Sequence, residues 1–205
     1  MELKGRIRAQ GYSNSLLIAV NVIVFLAGTA FELLTGKDPL FAAGVMYPPA
    51  VLEAGQWYRL VTSMFLHVDA MHLANNMIML AAVGLYVERN LGAIRFMLLY
   101  LISGVCGNLL SMLLDVKSQE FVFSAGASGA VFATVGALLA IALKNGGRIY
   151  GLSLYRIILM AALSLFAGFT SSGIDNWAHV GGFAAGLILG LILSTREKPQ
   201  IALNL

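Results

Sequence analysis

The chain has 205 residues, of which 59% are hydrophobic and only 11% charged, against averages of roughly 45–50% and 25% in soluble domains. Surface-to-volume scaling does not let a soluble domain of this length hide so much apolar surface. A cytosolic enzyme, a disordered regulator and a disulfide-stapled secreted module are therefore excluded. A net charge of +3 would suit nucleic acid, but the 13 Lys and Arg residues form no patch. They sit between hydrophobic segments, where charge reports topology, so no nucleic-acid partner is expected. The single cysteine, Cys106, cannot close an intramolecular disulfide, and there is no CxxC or Cys/His zinc spacing.

A helix needs about 20 mostly apolar residues to cross a hydrocarbon core of roughly 30 Å. Six segments qualify, at about 15–34, 69–88, 93–114, 127–143, 152–171 and 177–194. Strict alternation of apolar and polar residues is absent, which favours helices over a closed barrel, the other fold that satisfies its backbone in lipid. The first segment follows Lys4, Arg6 and Arg8 as a signal peptide would, but its apolar run exceeds a typical signal core and further spans follow. It reads as an uncleaved first helix. The connection at about 35–57, with Pro39, Pro48, Pro49, Gly44 and Gly55, reads as a structured loop. The expected fold is an all-α membrane protein, one domain over residues 1–205, in which six transmembrane helices form a bundle and a long structured loop joins helices 1 and 2.

Basic residues suggest the orientation. With the N-terminus cytoplasmic, Lys4, Arg6, Arg8, Arg89, Arg95, Lys144, Arg148, Arg156, Arg196 and Lys198 lie on one side, and only Lys37, Arg59 and Lys117 on the other. Ten against three is a positive-inside bias, and it places both termini in the cytoplasm. Asp38, Glu53, Asp115, Glu120 and Asp175 then gather on the outer side.

Polar side chains within spans each need a reason, because facing lipid is costly. Ser103, Ser111, Ser164 and Asn21 are read as bonding to backbone or to a neighbouring helix, and Cys106 as a small buried hydrophobe. Histidines are harder to dismiss. His72 and Asn76 are four apart and share a helix face. His179 opens the last span and is followed by Gly182, Gly186 and Gly190, whose spacing lets another helix backbone approach closely. Gly129, Ala133 and Ala137 form a matching smooth stripe on the fourth span. Ser128 stands where that span begins, behind Gly126-Ala127. A serine there suits an N-cap; it equally suits a nucleophile beside the free N–H groups and positive dipole end of a helix, which favour a developing oxyanion.

These elements together resemble the rhomboid intramembrane serine proteases. Gly126-Ala127-Ser128-Gly129 is similar to their GxSG nucleophile motif. Ala178-His179-Val180-Gly181-Gly182, continuing to Gly186, is similar to the catalytic-histidine helix. His72 with Asn76 resembles the HxxxN motif, Trp57-Tyr58-Arg59 the Trp-Arg element of the first loop, and Glu88-Arg89-Asn90-Leu91-Gly92 the stretch ending the second helix. Two departures stand out: one residue separates Trp57 from Arg59, and Phe132 stands where some members carry Tyr.

The resemblance implies a serine endopeptidase that cuts single-span membrane proteins within or near the bilayer, with Ser128 as nucleophile and His179 as general base. Ser128 N–H, His72 and Asn76 would stabilise the oxyanion; Trp57, Arg59, Glu88, Gly126, Gly129, Gly182 and Gly186 would be structural. No metal and no cofactor is needed, and no HExxH or intramembrane aspartate pair is present. The partners it implies are transmembrane substrates and membrane lipid, in a bacterial inner membrane. Asp175, four residues before His179, is left between orienting that histidine and an interfacial or capping role. Rival readings are an inactive rhomboid-like helix-binding protein and a small transporter, although no repeated halves are visible.

Overall fold

The computed structural model of the protein describes residues 11–149, 151–169 and 173–195. Lys4, Arg6, Arg8, Arg196 and Lys198, five of the basic residues used to infer orientation, lie outside them. Among the described residues, helix dominates. The first long helix, α1, runs Tyr12–Thr35. Three short helices follow, α2 (Pro39–Gly44), α3 (Pro48–Leu52) and α4 (Arg59–Thr62), the last continuing into a 3₁₀ turn at Ser63–Phe65. Helix α5 spans Ala70–Leu91, with a π-helical turn at Leu80–Gly84. Then come α6 (Ala93–Ser118) and α7 (Ser128–Lys144), a two-stranded hairpin of β1 (Arg148–Ile149) and β2 (Leu152–Ser153), α8 (Leu154–Phe169) and α9 (Asn176–Leu193).

Four of the six long helices, α1, α5, α6 and α9, are long and apolar enough to cross a membrane. Helices α7 and α8 are apolar but shorter, at 17 and 16 residues. At 1.5 Å per residue, α7 extends roughly 25 Å, less than the ~30 Å hydrocarbon core. Helix α1 starts three residues before the expected run, and α5 and α6 end three and four residues beyond theirs. The run expected at 152–171 starts as a helix only at Leu154, because Leu152–Ser153 pair in β2, and residues 170 and 171 lie outside those described. The chain is an integral, multi-pass membrane protein of the all-α class.

Helix α7 is apolar around its whole circumference and is the buried centre of the bundle. Helix α9 lies along α7 and α6. A Cβ on Gly182 would strike the Gly129 carbonyl oxygen, one on Gly186 the Ala133 carbonyl oxygen, and one on Gly190 would lie 2.8 Å from Ala137 Cα. The two small-residue stripes are therefore apposed at a constant offset, backbone against backbone, which fixes the axial register of α9 on α7. Helices α1 and α8 are peripheral. Tyr155, Leu163, Phe166 and Phe169 of α8, and Ile23, Leu26, Leu33 and Leu34 of α1, face outward, as the apolar solvent permits.

Arg59 holds the loop between α1 and α5 together. Its guanidinium is buried and donates to Gln56 Oε1 (2.6 Å), Val45 O (2.7 Å) and Ala42 O (3.2 Å), so it ties the end of α2 to the turn that enters α4. Trp57 and Tyr58 beside it are about half exposed. A second charged clasp lies at the opposite end of α5. Helix α1 begins without a capping side chain of its own, and the buried Glu88 carboxylate accepts from Ser13 N (3.0 Å) and Asn14 N (2.8 Å). A carboxylate at a helix N-terminus also gains from the dipole. Glu88→Ala orphans both amides, so we expect a loss of about 2–3 kcal/mol, the range for a hydrogen-bonded charge. A thermal melt in detergent measures it; an unchanged melting temperature would remove the clasp.

Candidate active site

Ser128 is the first helical residue of α7. Ala127 holds the N-cap position, and no side chain caps the helix. The serine hydroxyl is thereby free for another partner, and it lies 2.8 Å from His179 Nε2. The two residues come from helices whose axial register is set by the glycine contacts above, so the short distance follows from close backbone packing. His179 is buried and its ring stacks on Phe132, with centroids 4.3 Å apart and planes inclined by 16°. Phe132 stands one turn beyond Ser128 and floors the imidazole without offering a hydroxyl.

His72 and Asn76 approach from α5. Asp69 caps that helix by accepting from His72 N (2.7 Å), which orients its first turn. Gly126 has φ +145°, and a Cβ there would lie 2.7 Å and 2.8 Å from His72 Cε1 and Nε2, and 3.6 Å from Ser128 Oγ. Only glycine lets the chain pass between that ring and the serine. Asn76, one turn along the same face, is buried, and its Nδ2 has no hydrogen-bond partner among the described residues. An idle buried donor of this kind is uncommon.

His67 has no role in the sequence-based reading. It is buried, packs edge-on against His72 with centroids 5.1 Å apart, and its Nε2 accepts from Ala127 N (3.4 Å), the amide preceding Ser128. Burial, and secondarily the nearby His72, push its pKa down to about 4 against the opposing pull of Asp69. At neutral pH it is uncharged and able to accept. Nothing local in sequence marks His67. Asp69 was readable, because an aspartate three residues ahead of His72 and before an apolar run is an N-cap signature.

Asp175 does not meet the imidazole. Its carboxylate accepts from Ala178 N (2.9 Å), from Ser111 Oγ (2.8 Å to each oxygen) and from Ser124 Oγ (2.6 Å), while His179 Nδ1 is without a partner among the described residues. Of the expected roles, capping is the one the hydrogen bonds show. Ser111 thus bonds to the N-cap residue of the neighbouring helix α9, one of the two kinds of partner expected for it. Trp57, Arg59 and Glu88 lie in the loop and at the far end of α5, away from the Ser128–His179 pair. Among the described residues no three His, Cys, Asp or Glu side chains gather as metal ligands.

The family model described as Rhomboid domain matches residues 54–196, well over half the chain. The chain belongs to the rhomboid family. It is 36% identical to rhomboid protease GluP of Bacillus subtilis over 87% of this chain and 34% of that protein. RHOMBOID-like protein 5 of Arabidopsis thaliana is 40% identical over 72% of this chain and 48% of its own length. Rhomboid-like protease 3 of Toxoplasma gondii is 34% identical over 73% and 56% respectively. This rhomboid chain thus spans between a third and a little over half of these relatives. The matched region contains α5 to α9, and with them every residue of the site just described.

Proposed function

We propose that this rhomboid protein is a serine endopeptidase that cleaves single-span membrane proteins within or near the bilayer through Ser128 and His179. The observation that carries the reading is the 2.8 Å separation of His179 Nε2 and Ser128 Oγ, within the reach that general-base catalysis requires. His179 takes the proton from Ser128 Oγ as that oxygen attacks the scissile carbonyl. The same imidazolium then returns the proton to the departing amine, leaving an acyl-enzyme that water hydrolyses. The oxyanion falls beside the N-terminus of α7, where Ser128 N–H, the His72 ring and the idle Asn76 amide supply donors. Names of two relatives, rhomboid protease GluP and rhomboid-like protease 3, support the same reaction class.

The substrate must offer an unwound stretch. A helical carbonyl is locked in backbone bonding, so Gly, Pro or polar residues near the substrate's outer end would expose the scissile bond to Ser128. Rate-limited labelling of Ser128 by a serine-directed phosphonate, alongside cleavage of a co-expressed single-span reporter, tests the reading. Absence of both would refute it.

Location in a bacterial inner membrane is part of the proposal, as is an outward Ser128 end, and the basic residues support that orientation. Arg89, Arg95, Lys144 and Arg148 lie at the ends of α5, α6 and α7 remote from Ser128, and Lys117 at the near end. In a Cys106→Ala background, cysteines placed at Lys37 and Lys117 should react with an impermeant thiol reagent added to intact cells, and one placed at Arg148 should not. Outside labelling at 148 would invert α7 and rule out this topology.

A further inference from the structure

Asp175 gathers donors from three parts of the fold. Ser111 belongs to α6, Ala178 to the first turn of α9, and Ser124 to the segment that enters α7. Ser124 is itself held through its backbone, since its N–H and C=O pair with Met46 O and N at 3.0 Å each. The loop between α1 and α5 is therefore part of the same knot. Asp175 precedes His179 by four residues and Ser124 precedes Ser128 by four. The Asp175–Ser124 contact of 2.6 Å thus repeats, one step outward, the His179–Ser128 contact of 2.8 Å. Below the dyad, the glycine stripes press α9 onto α7; above it, this carboxylate ties the start of α9 to the segment that enters α7 and to α6.

We propose that Asp175 is a positioning residue of the dyad: its carboxylate, bonded to Ser111, Ser124 and Ala178 N–H, sets the separation of His179 from Ser128. This rests on the protease reading above. The side chain acts through the backbone of α9 and not through the imidazole, whose Nδ1 it does not touch. The backbone of α9 also meets Gly107 of α6 and Gly129 of α7 at Ala178, but beyond that point the Asp175 bonds hold its outer end to the segment that enters α7, and without them the two ends can separate. A shift of about 1 Å between reacting groups is enough to lose about 10²-fold in rate. Because the tie is made in the resting enzyme and contacts no substrate, its removal lowers kcat and leaves KM nearly unchanged.

Three substitutions separate this role from simpler ones. Asp175→Asn keeps an oxygen for Ala178 N–H and Ser111 and an amide that can donate to Ser124 Oγ once that hydroxyl turns. Asp175→Ser can still cap α9 but is too short to reach Ser111 and Ser124. Asp175→Ala does neither. Expected kcat falls about tenfold to a hundredfold in both the Ser and Ala variants, the range that misplacement gives, and stays within about threefold of wild type in Asn. Melting temperature follows a different order, with Ser above Ala because the cap survives. The double variant Ser111→Ala/Ser124→Ala keeps the cap and the carboxylate yet reproduces the kcat of Asp175→Ser, each single variant falling between it and wild type.

The decisive measurement is kcat, KM and melting temperature of these variants in proteoliposomes, with Ser128→Ala in parallel. If Asp175→Ser matches wild type in kcat while Ser128→Ala is inactive, Asp175 is an ordinary helix cap and the proposal fails alone. If Asp175→Asn loses about 10⁴, as when an aspartate serves the histidine of a soluble serine protease directly, and its pH–rate profile shifts, the carboxylate acts on the ring and positioning is wrong. Full cleavage by Ser128→Ala would overturn the protease reading and this proposal with it.

Discussion

Cleavage of a reporter membrane protein is expected to fall to background in Ser128→Ala and in His179→Ala, with the double variant no worse than either. The reason is that the two side chains do one job. Ser128 Oγ and His179 Nε2 are 2.8 Å apart, and without the base the hydroxyl keeps its proton, while without the hydroxyl the base has nothing to activate. In a soluble serine protease, losing either member removes about 10⁶ in kcat, and losing further members adds little. The variants should fold, because the pair lies at the mouth of α7 rather than in the register contacts with α9. Phosphonate labelling gives an independent check: His179→Ala must label far more slowly than wild type. If it labels at the wild-type rate, Ser128 is not activated by His179, and the mechanism fails even if cleavage is lost.

Asn76→Ala carries the second large effect. Its Nδ2 is buried without a partner among the described residues, so the resting enzyme loses no hydrogen bond when it is removed. An oxyanion donor acts chiefly in the transition state. We therefore expect kcat to drop by about 10², the lower end of the range for one such donor, with KM unchanged. Stability should stay within about 1 kcal/mol of wild type, since no buried partner is orphaned. His72→Ala should be somewhat worse, because its ring also packs against Gly126 and the edge of His67. Purified variants assayed for kcat, KM and melting temperature decide the matter. A large fall in melting temperature with kcat intact would make Asn76 a structural residue only.

The spans were legible because the bilayer imposes a one-dimensional rule: a run of about 20 apolar residues is visible in any window of sequence. The stripes of Gly129, Ala133 and Ala137 and of Gly182, Gly186 and Gly190 were legible for a related reason, since residues four apart share a helix face whatever surrounds the helix. The axial offset that brings Ser128 to His179 was not written in either stripe alone. It arises where backbones meet at the glycines, and only packing determines it. The hairpin at Arg148–Ser153 escaped notice because two residue pairs leave no periodic signal.

The sequence by itself therefore determined the class, the helices and the residue types gathered toward one end of the bundle. Tertiary structure decided which polar atom meets which. It made Ser128 the first residue of α7 rather than its cap, and it turned Asp175 toward Ser111, Ser124 and Ala178 N–H and away from the imidazole. It also set His67 beneath the amide of Ala127. A hydrogen bond depends on distance and angle to a few tenths of an ångström, and those are fixed by the phase and tilt of helices that sequence spacing leaves free.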